Sequence, residues 1–205
     1  FANHQNYRRL YFVELTLIYV NYNSIIPETS EYVRPCVKIE ISSLSMDEPV
    51  ETRTLRSFIS EAVPDAEDME IKFKTVIPTR TFLEKIFLLH EEFQKKNPRS
   101  YRMSRHLYDI ERIMDTSFGN EALKDLKLND EIIAHRNIFN HIDGVDYSSH
   151  KHDRINFIPP AELIDDWRND YNSLEKHFLY NSATHLSFDQ LLDRMLELLK
   201  RIRTM

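Results

Sequence analysis

At Thr79 the apolar period of the sequence changes from two to between three and four, so one chain carries a strand-forming part and a helix-forming part. Upstream, "LYFVELTLIYVNY" and "VRPCVKIEIS" are runs of Val, Ile, Tyr and Phe, joined by "NSIIPETSEY" with its Pro and small polar residues. Two long neighbouring strands are expected. In "VKIEIS" alternation sets Val37, Ile39 and Ile41 on one face and Lys38, Glu40 and Ser42 on the other, so Glu40 projects from the polar face of a strand expected to be central. "RTLRSFISEAV" reads as a short amphipathic helix ended before Pro64, and "MEIKFKTVI" as a third strand.

Downstream the pattern predicts helices near 79–97, 101–116, 120–138, 160–180 and 187–203, with Ser187 as an N-cap. "HIDGVDYSSHKHDRINFIPP" interrupts them as a long polar connector that closes on a strand-like "INFI". The expectation is an α+β chain with a strand-rich part at 1–78 and a helical lobe at 79–205.

Composition narrows the chemistry. Only two glycines occur, Gly119 and Gly144, where average usage would give roughly 14. Phosphate-cradling glycine loops and dinucleotide fingerprints are thereby excluded from this stretch. A hydrophobic fraction of 41% and a length of 205 residues suit one packed domain or a core with a lobe. The net charge of -6 argues against a uniformly basic nucleic-acid surface but leaves room for a local basic groove. Cys36 is the single cysteine, which excludes an intrachain disulfide and a multi-cysteine zinc site and fits a reducing, cytoplasmic compartment. No apolar run is long enough to span a membrane, and the start lacks the pattern of a signal peptide. The chain opens on Phe1 rather than Met, from which a piece of a longer protein is expected.

Three groups of residues could carry chemistry. In "PTRTFLEKIFLLHEEF", Phe82, Ile86, Leu89 and Phe93 form one stripe, with Glu84 and Glu91 on the opposite face and Lys85 on the shoulder. Lys85 has Thr81, Phe82, Leu88 and Leu89 at three and four positions, so no carboxylate on its own helix can pair with it. It is either a snorkelling lysine whose stem covers apolar surface or a phosphate-binding lysine. In "YRMSRHLYDIERIMD" the apolar residues are Leu107, Ile110, Ile113 and Met114, and Asp109 again takes the shoulder, where Arg105 or Arg112 could pair with it. The third group, His135, His141, His150 and His152, matches no metal-ligand spacing and reads as solvated loop histidines. No nucleophile elbow, H-E-x-x-H or serine–histidine arrangement is recognisable.

Taken together, "VIPTRTFLEKIFLLHEEF", "RMSRHLYDIERI" and "INFIPPAELIDDWRNDYNSLEKHFLYNSATHLSFDQLLDRM" resemble the later two-thirds of the AbiEii/AbiGii family, nucleotidyltransferase-like toxins of type IV toxin–antitoxin and phage-abortive-infection systems. The most specific matches are Lys85 in "TFLEK" and Asp109 in "LYDI", preceded by the strand carboxylate Glu40.

The resemblance implies the remainder of a polymerase-β-like nucleotidyltransferase core followed by a helical bundle lobe. It implies transfer of a nucleoside monophosphate from an NTP to an acceptor such as an RNA or tRNA 3′ end. It also implies Mg²⁺ and an antitoxin that acts without a stable complex. By this analogy Glu40 is a metal-binding carboxylate, Lys85 and Arg80 neutralise the triphosphate, and Asp109 orients Lys85 or contacts the nucleotide.

Two departures accompany the match. The family's Asp-x-Asp strand is missing, and with it half of the metal site, so the chain alone is expected to be inactive. His106 also stands where many relatives have an acid. The competing expectations are a non-catalytic protein- or RNA-binding helical module and a transferase acting on small molecules.

Overall fold

The computed structural model describes residues 15–23, 34–47, 49–63, 70–179 and 185–205. Residues 10–14 of the expected first strand and the connector at 24–33 lie outside that set. The chain divides into two units, Phe1–Ser45 and Met46–Met205.

In the first unit, β1 (Leu15–Asn21) pairs antiparallel with β2 (Cys36–Ser42), running from Leu15 opposite Ser42 to Asn21 opposite Cys36. Ile18 faces Ile39 and Val20 faces Val37, so β-branched pairs line one side of the ladder. That side is exposed, from 42% at Ile18 to 54% at Val37, so the strand pairing rather than a packed core organises it among the described residues. The alternation read from "VKIEIS" is borne out. The central position expected for that strand is not, since β2 pairs with β1 alone among the described residues.

The second unit begins with β3 (Val50–Leu55) and β4 (Ile71–Val76), antiparallel from Val50 opposite Val76 to Leu55 opposite Ile71, with the short helix α1 (Phe58–Ala62) between them. β3 corrects the helix expected at 53–63. The Thr and Arg of "VETRTL" pair across to β4, and helix is confined to the last residues of that segment.

Six helices follow: α2 (Pro78–Glu92), α3 (Ser104–Met114), α4 (Ser117–Lys124), α5 (Leu126–Phe139), α6 (Ile164–Phe178) and α7 (Phe188–Arg203). α2 opens with Pro78 in its first turn, where the missing N–H costs nothing. It buries Phe82, Leu83, Ile86, Phe87 and Leu89 to 2% exposure or less, and packs against α3, α4 and α5. A helix apolar over most of its circumference has to be surrounded.

α3 turns Leu107, Ile110 and Met114 inward, and α7 contributes Leu191, Met195, Leu198 and Ile202. α7 begins at the expected Ser187, whose side chain and that of Gln190 form a reciprocal capping box. The single helix expected at 120–138 is two, because Asp125 ends α4 and its side chain caps α5 by accepting from Leu128 N–H at 2.9 Å. "INFI" is no strand. Ile155 and Phe157 are buried as packing residues of an extended connector. Among the described residues no helix is long and apolar enough to cross a membrane.

α4 passes so close to the end of α3 that a Cβ on Gly119 would lie 2.5 Å from the Ile113 carbonyl oxygen and 2.8 Å from that of Met114. Both obstacles are backbone. Gly119→Ala is therefore expected to destabilise the chain by about 2 kcal/mol or more despite the better helix propensity of alanine. A melting temperature unchanged or raised in Gly119→Ala would contradict this account.

Candidate functional site

Lys85 leaves the third turn of α2 between buried residues, 22% exposed at its side chain, and its Nζ lies 2.7 Å from Asp109 Oδ2 on α3. The sequence offered Arg105 and Arg112 as partners for Asp109, but the fold supplies Lys85 instead. The packing of α2 on α3 brings together two shoulder residues that are 24 positions apart. At 38% exposure Asp109 keeps part of its carboxylate toward solvent, so the pair is accessible.

α3 is aimed by α6. Its N-cap residue, Met103, has no capping side chain. Buried Asp170 of α6 does that work, accepting Arg102 N–H at 2.5 Å, Ser104 N–H at 2.9 Å and the Ser104 hydroxyl at 2.5 Å. A carboxylate on three donors at a helix start is favoured by geometry and by the helix dipole. It fixes Arg102 at φ 57 and sets the helix that carries His106 and Asp109.

His106, one turn before Asp109, is 9% exposed and its buried Nδ1 has no partner. Burial, followed by the positive charges of Lys85, Arg105 and Arg99, pushes its imidazole down to about 3. It stands neutral beside the pair.

Two carboxylates end α2. Glu92, 1% exposed at its side chain, accepts from Arg99 N–H at 2.8 Å, from the Arg99 guanidinium and from Lys95 Nζ at 2.6 Å. Burial alone would raise its carboxyl, but these bonds hold it at about 2. Glu91 was expected on the outer face and is instead buried, bridged by Arg136 of α5 at 2.7 and 2.5 Å and by His150 Nε2 at 3.2 Å.

His150 thus corrects the solvated-loop reading. The connector at 141–158 folds back so that His150 stacks on Tyr147 and meets His90 edge-on. His90 Nε2 lies 2.8 Å from Ser149 Oγ, a neighbourhood invisible in the sequence. The Ser149 hydroxyl donates to the Asp146 carbonyl at 2.6 Å and accepts from Gln94 at 3.3 Å, so it braces the connector and is not free to act as a nucleophile. No local pattern marks Glu91, because its partners come from 45 and 59 residues away.

The remaining expected residues are placed differently. Arg80 is 1% exposed, with Nε on Glu84 at 2.8 Å and Nη1 on the Met46 carbonyl at 2.8 Å. These bonds brace the start of α2 rather than face a phosphate. Glu40 lies on β2 with a half-exposed side chain paired to Lys38. Among the described residues no three His, Cys, Asp or Glu side chains are arranged to hold a metal ion, and the donor set around Glu40 does not fit one.

The family profile described as nucleotidyl transferase AbiEii toxin, type IV toxin–antitoxin system, matches residues 7–194. The chain belongs to the AbiEii family. No curated protein and no solved structure matches it. The AbiEii match runs through both units and includes the whole Lys85–Asp109 region, so the resemblance carried by "TFLEK" and "LYDI" is borne out at the level of the family. AbiEii proteins are grouped as toxins of type IV systems, a setting that implies an antitoxin.

The neutral state of His106 has a consequence for stability. An unfolded chain holds this imidazole at the ordinary 6.5 and the folded one at about 3, so as pH falls the unfolded state takes up the proton first. This contribution is complete above pH 6.5 and is lost progressively as pH falls toward 3. His106→Gln is expected to flatten the dependence of the urea midpoint on pH between 6.5 and 4.5, where folded Glu92 remains ionised, leaving the shares of His90 and His135, which burial also lowers. An equally steep profile in the variant would remove His106 as the cause.

Proposed function

We propose that this chain contributes the triphosphate-binding part of a nucleotidyltransferase, with Lys85 as the phosphate contact and Asp109 as the residue that positions it. The supporting observation is the pair itself. A lysine with no carboxylate three or four positions away on its own helix is held 2.7 Å from an aspartate on the neighbouring one, at the boundary between core and solvent. In the reaction an acceptor hydroxyl attacks the α-phosphorus of an NTP, the bond to the bridging oxygen breaks, and pyrophosphate leaves. Negative charge accumulates on the leaving group, and an ammonium on a flexible stem can follow it. Asp109 holds that ammonium in place before substrate arrives and gives it up to the incoming phosphates.

This chemistry ordinarily uses Mg²⁺, and among the described residues no three His, Cys, Asp or Glu side chains are arranged to hold one. The acceptor in this reading is the 3′ end of an RNA. Neutral His106 limits competition for the incoming phosphates to Asp109, since an acid at that position would place a second negative charge one turn away.

A structural ion pair would show the same geometry, and experiment separates the two. A half-exposed pair of this kind contributes about 1 kcal/mol or less to stability, whereas an ammonium on a phosphate contributes about 1.5–3 kcal/mol to binding. Lys85→Ala is accordingly expected to weaken NTP binding by about 10- to 100-fold with a melting temperature close to that of the parent. Isothermal calorimetry with a non-hydrolysable NTP reads the first quantity and scanning calorimetry the second. A large loss of stability with unchanged nucleotide affinity would overturn the proposal. Asp109→Asn is expected to lower the affinity less than Lys85→Ala does, because the ammonium survives without its guide.

A further inference from the structure

The segment "KKNPRSYRMSR", Lys95 to Arg105, runs from the connector after α2 into the first two residues of α3 and holds five cations and no acid. The whole chain has a net charge of -6, so its other residues carry -11. Positive charge is therefore concentrated where the two helices of the site are joined. Its backbone is clamped from both sides, by Glu92 at Arg99 N–H and by Asp170 at Arg102 and Ser104 N–H.

What the clamps leave outside is Tyr101, 73% exposed, with Lys96 before it and Arg105 after it in the sequence also exposed. A large ring held in water on an ordered turn gains nothing from folding. Lys95 and Arg99 share the single charge of Glu92, so the segment keeps a positive excess after internal pairing. That excess reaches the site, because Arg105 and Arg99 act with Lys85, after burial, to depress the His106 imidazole.

We propose that this connector is a docking surface for a single-stranded nucleic acid, with Tyr101 as a base-stacking platform and Lys96 and Arg105 as phosphate contacts. Cations interleaved with an exposed aromatic ring are the two components of such surfaces. For an acidic polypeptide the cations alone would serve, and the exposed ring would remain without a purpose. The inference rests on the nucleotidyl-transfer reading only for the reason a strand should come here: an acceptor end stacked at Tyr101 lies on the segment that joins the Lys85 and Asp109 helices.

The test is fluorescence anisotropy of labelled twelve-nucleotide RNA and DNA of one sequence with the 205-residue chain, the tighter of the two assigning the strand. Tyr101→Ala is expected to weaken binding by about 10-fold, and Tyr101→Phe to keep it, since stacking needs the ring. Removing both cations as Lys96→Gln with Arg105→Gln is expected to reduce the slope of log affinity against log salt by about 1.4. All three side chains are exposed, so circular dichroism and melting temperature should not change. Unchanged affinity in Tyr101→Ala overturns the proposal, as does displacement of the strand by polyglutamate of equal charge as effectively as by unlabelled strand. Failure here is separable from failure of the phosphate site: Lys85→Ala should lose the NTP and keep the strand, while Tyr101→Ala should do the reverse.

Discussion

The burial of α2 is the constraint on which the second unit depends. Its five large apolar side chains lie at 2% exposure or less on more than one face, so no single neighbour can cover it. α3, α4 and α5 are drawn around it for that reason. Removing this amount of apolar surface from water contributes roughly 1.5–3 kcal/mol per side chain, far more than any ion pair nearby. The site is a consequence. Once α3 lies against α2, the shoulder residues of both helices meet at the edge of the core, and Lys85 meets Asp109 there.

Surrounding a helix on most of its faces also buries its polar ends, and the chain answers this with charge pairs, several drawn from distant sequence. Glu91 would be an isolated buried carboxylate without Arg136 and His150, and Glu92 likewise without Arg99 and Lys95. Unpaired, each would be strongly destabilising; paired, each ties the end of α2 to a particular partner. Glu91 fixes α5 and the connector at 141–158, while Glu92 fixes the turn toward α3. Asp170 completes the frame by capping α3 from α6. Three buried carboxylates therefore orient the elements that present Lys85, His106, Asp109 and Tyr101.

What could be read from the sequence follows the range of the interactions involved. Period and caps are local, so the helical lobe, the alternation of β2, the Ser187 cap and the shoulder positions of Lys85 and Asp109 were all legible. β3 was not, because "VETRTL" has weak alternation and becomes a strand by pairing with β4 across a connection that contains α1. The break between α4 and α5 was hidden because Asp125 fits a helix pattern as well as it fits a cap. The buried state of Glu91 and His150 depends on Arg136 arriving from another helix, which periodicity cannot express. The same limit applied to Lys85: its lack of a partner within four residues was visible, and the identity of the partner was not.

An ion pair at the rim of a core suits a phosphate site better than either extreme would. Fully buried, Lys85 and Asp109 would each need the other to offset desolvation, and drawing the ammonium toward a ligand would strand a carboxylate in low dielectric. Fully exposed, the pair would be too weakly ordered to hold the ammonium in one place. At 22% and 38% exposure the aspartate can be rehydrated when the lysine turns away, so exchanging one anion for another requires little energy. In the proposed site a triphosphate, with more negative charge than a single carboxylate, would win that exchange, and neutral His106 alongside would offer no further opposition. The geometry that makes the pair a modest contributor to stability is also what the proposed phosphate contact requires, an ammonium that can leave its carboxylate at little cost.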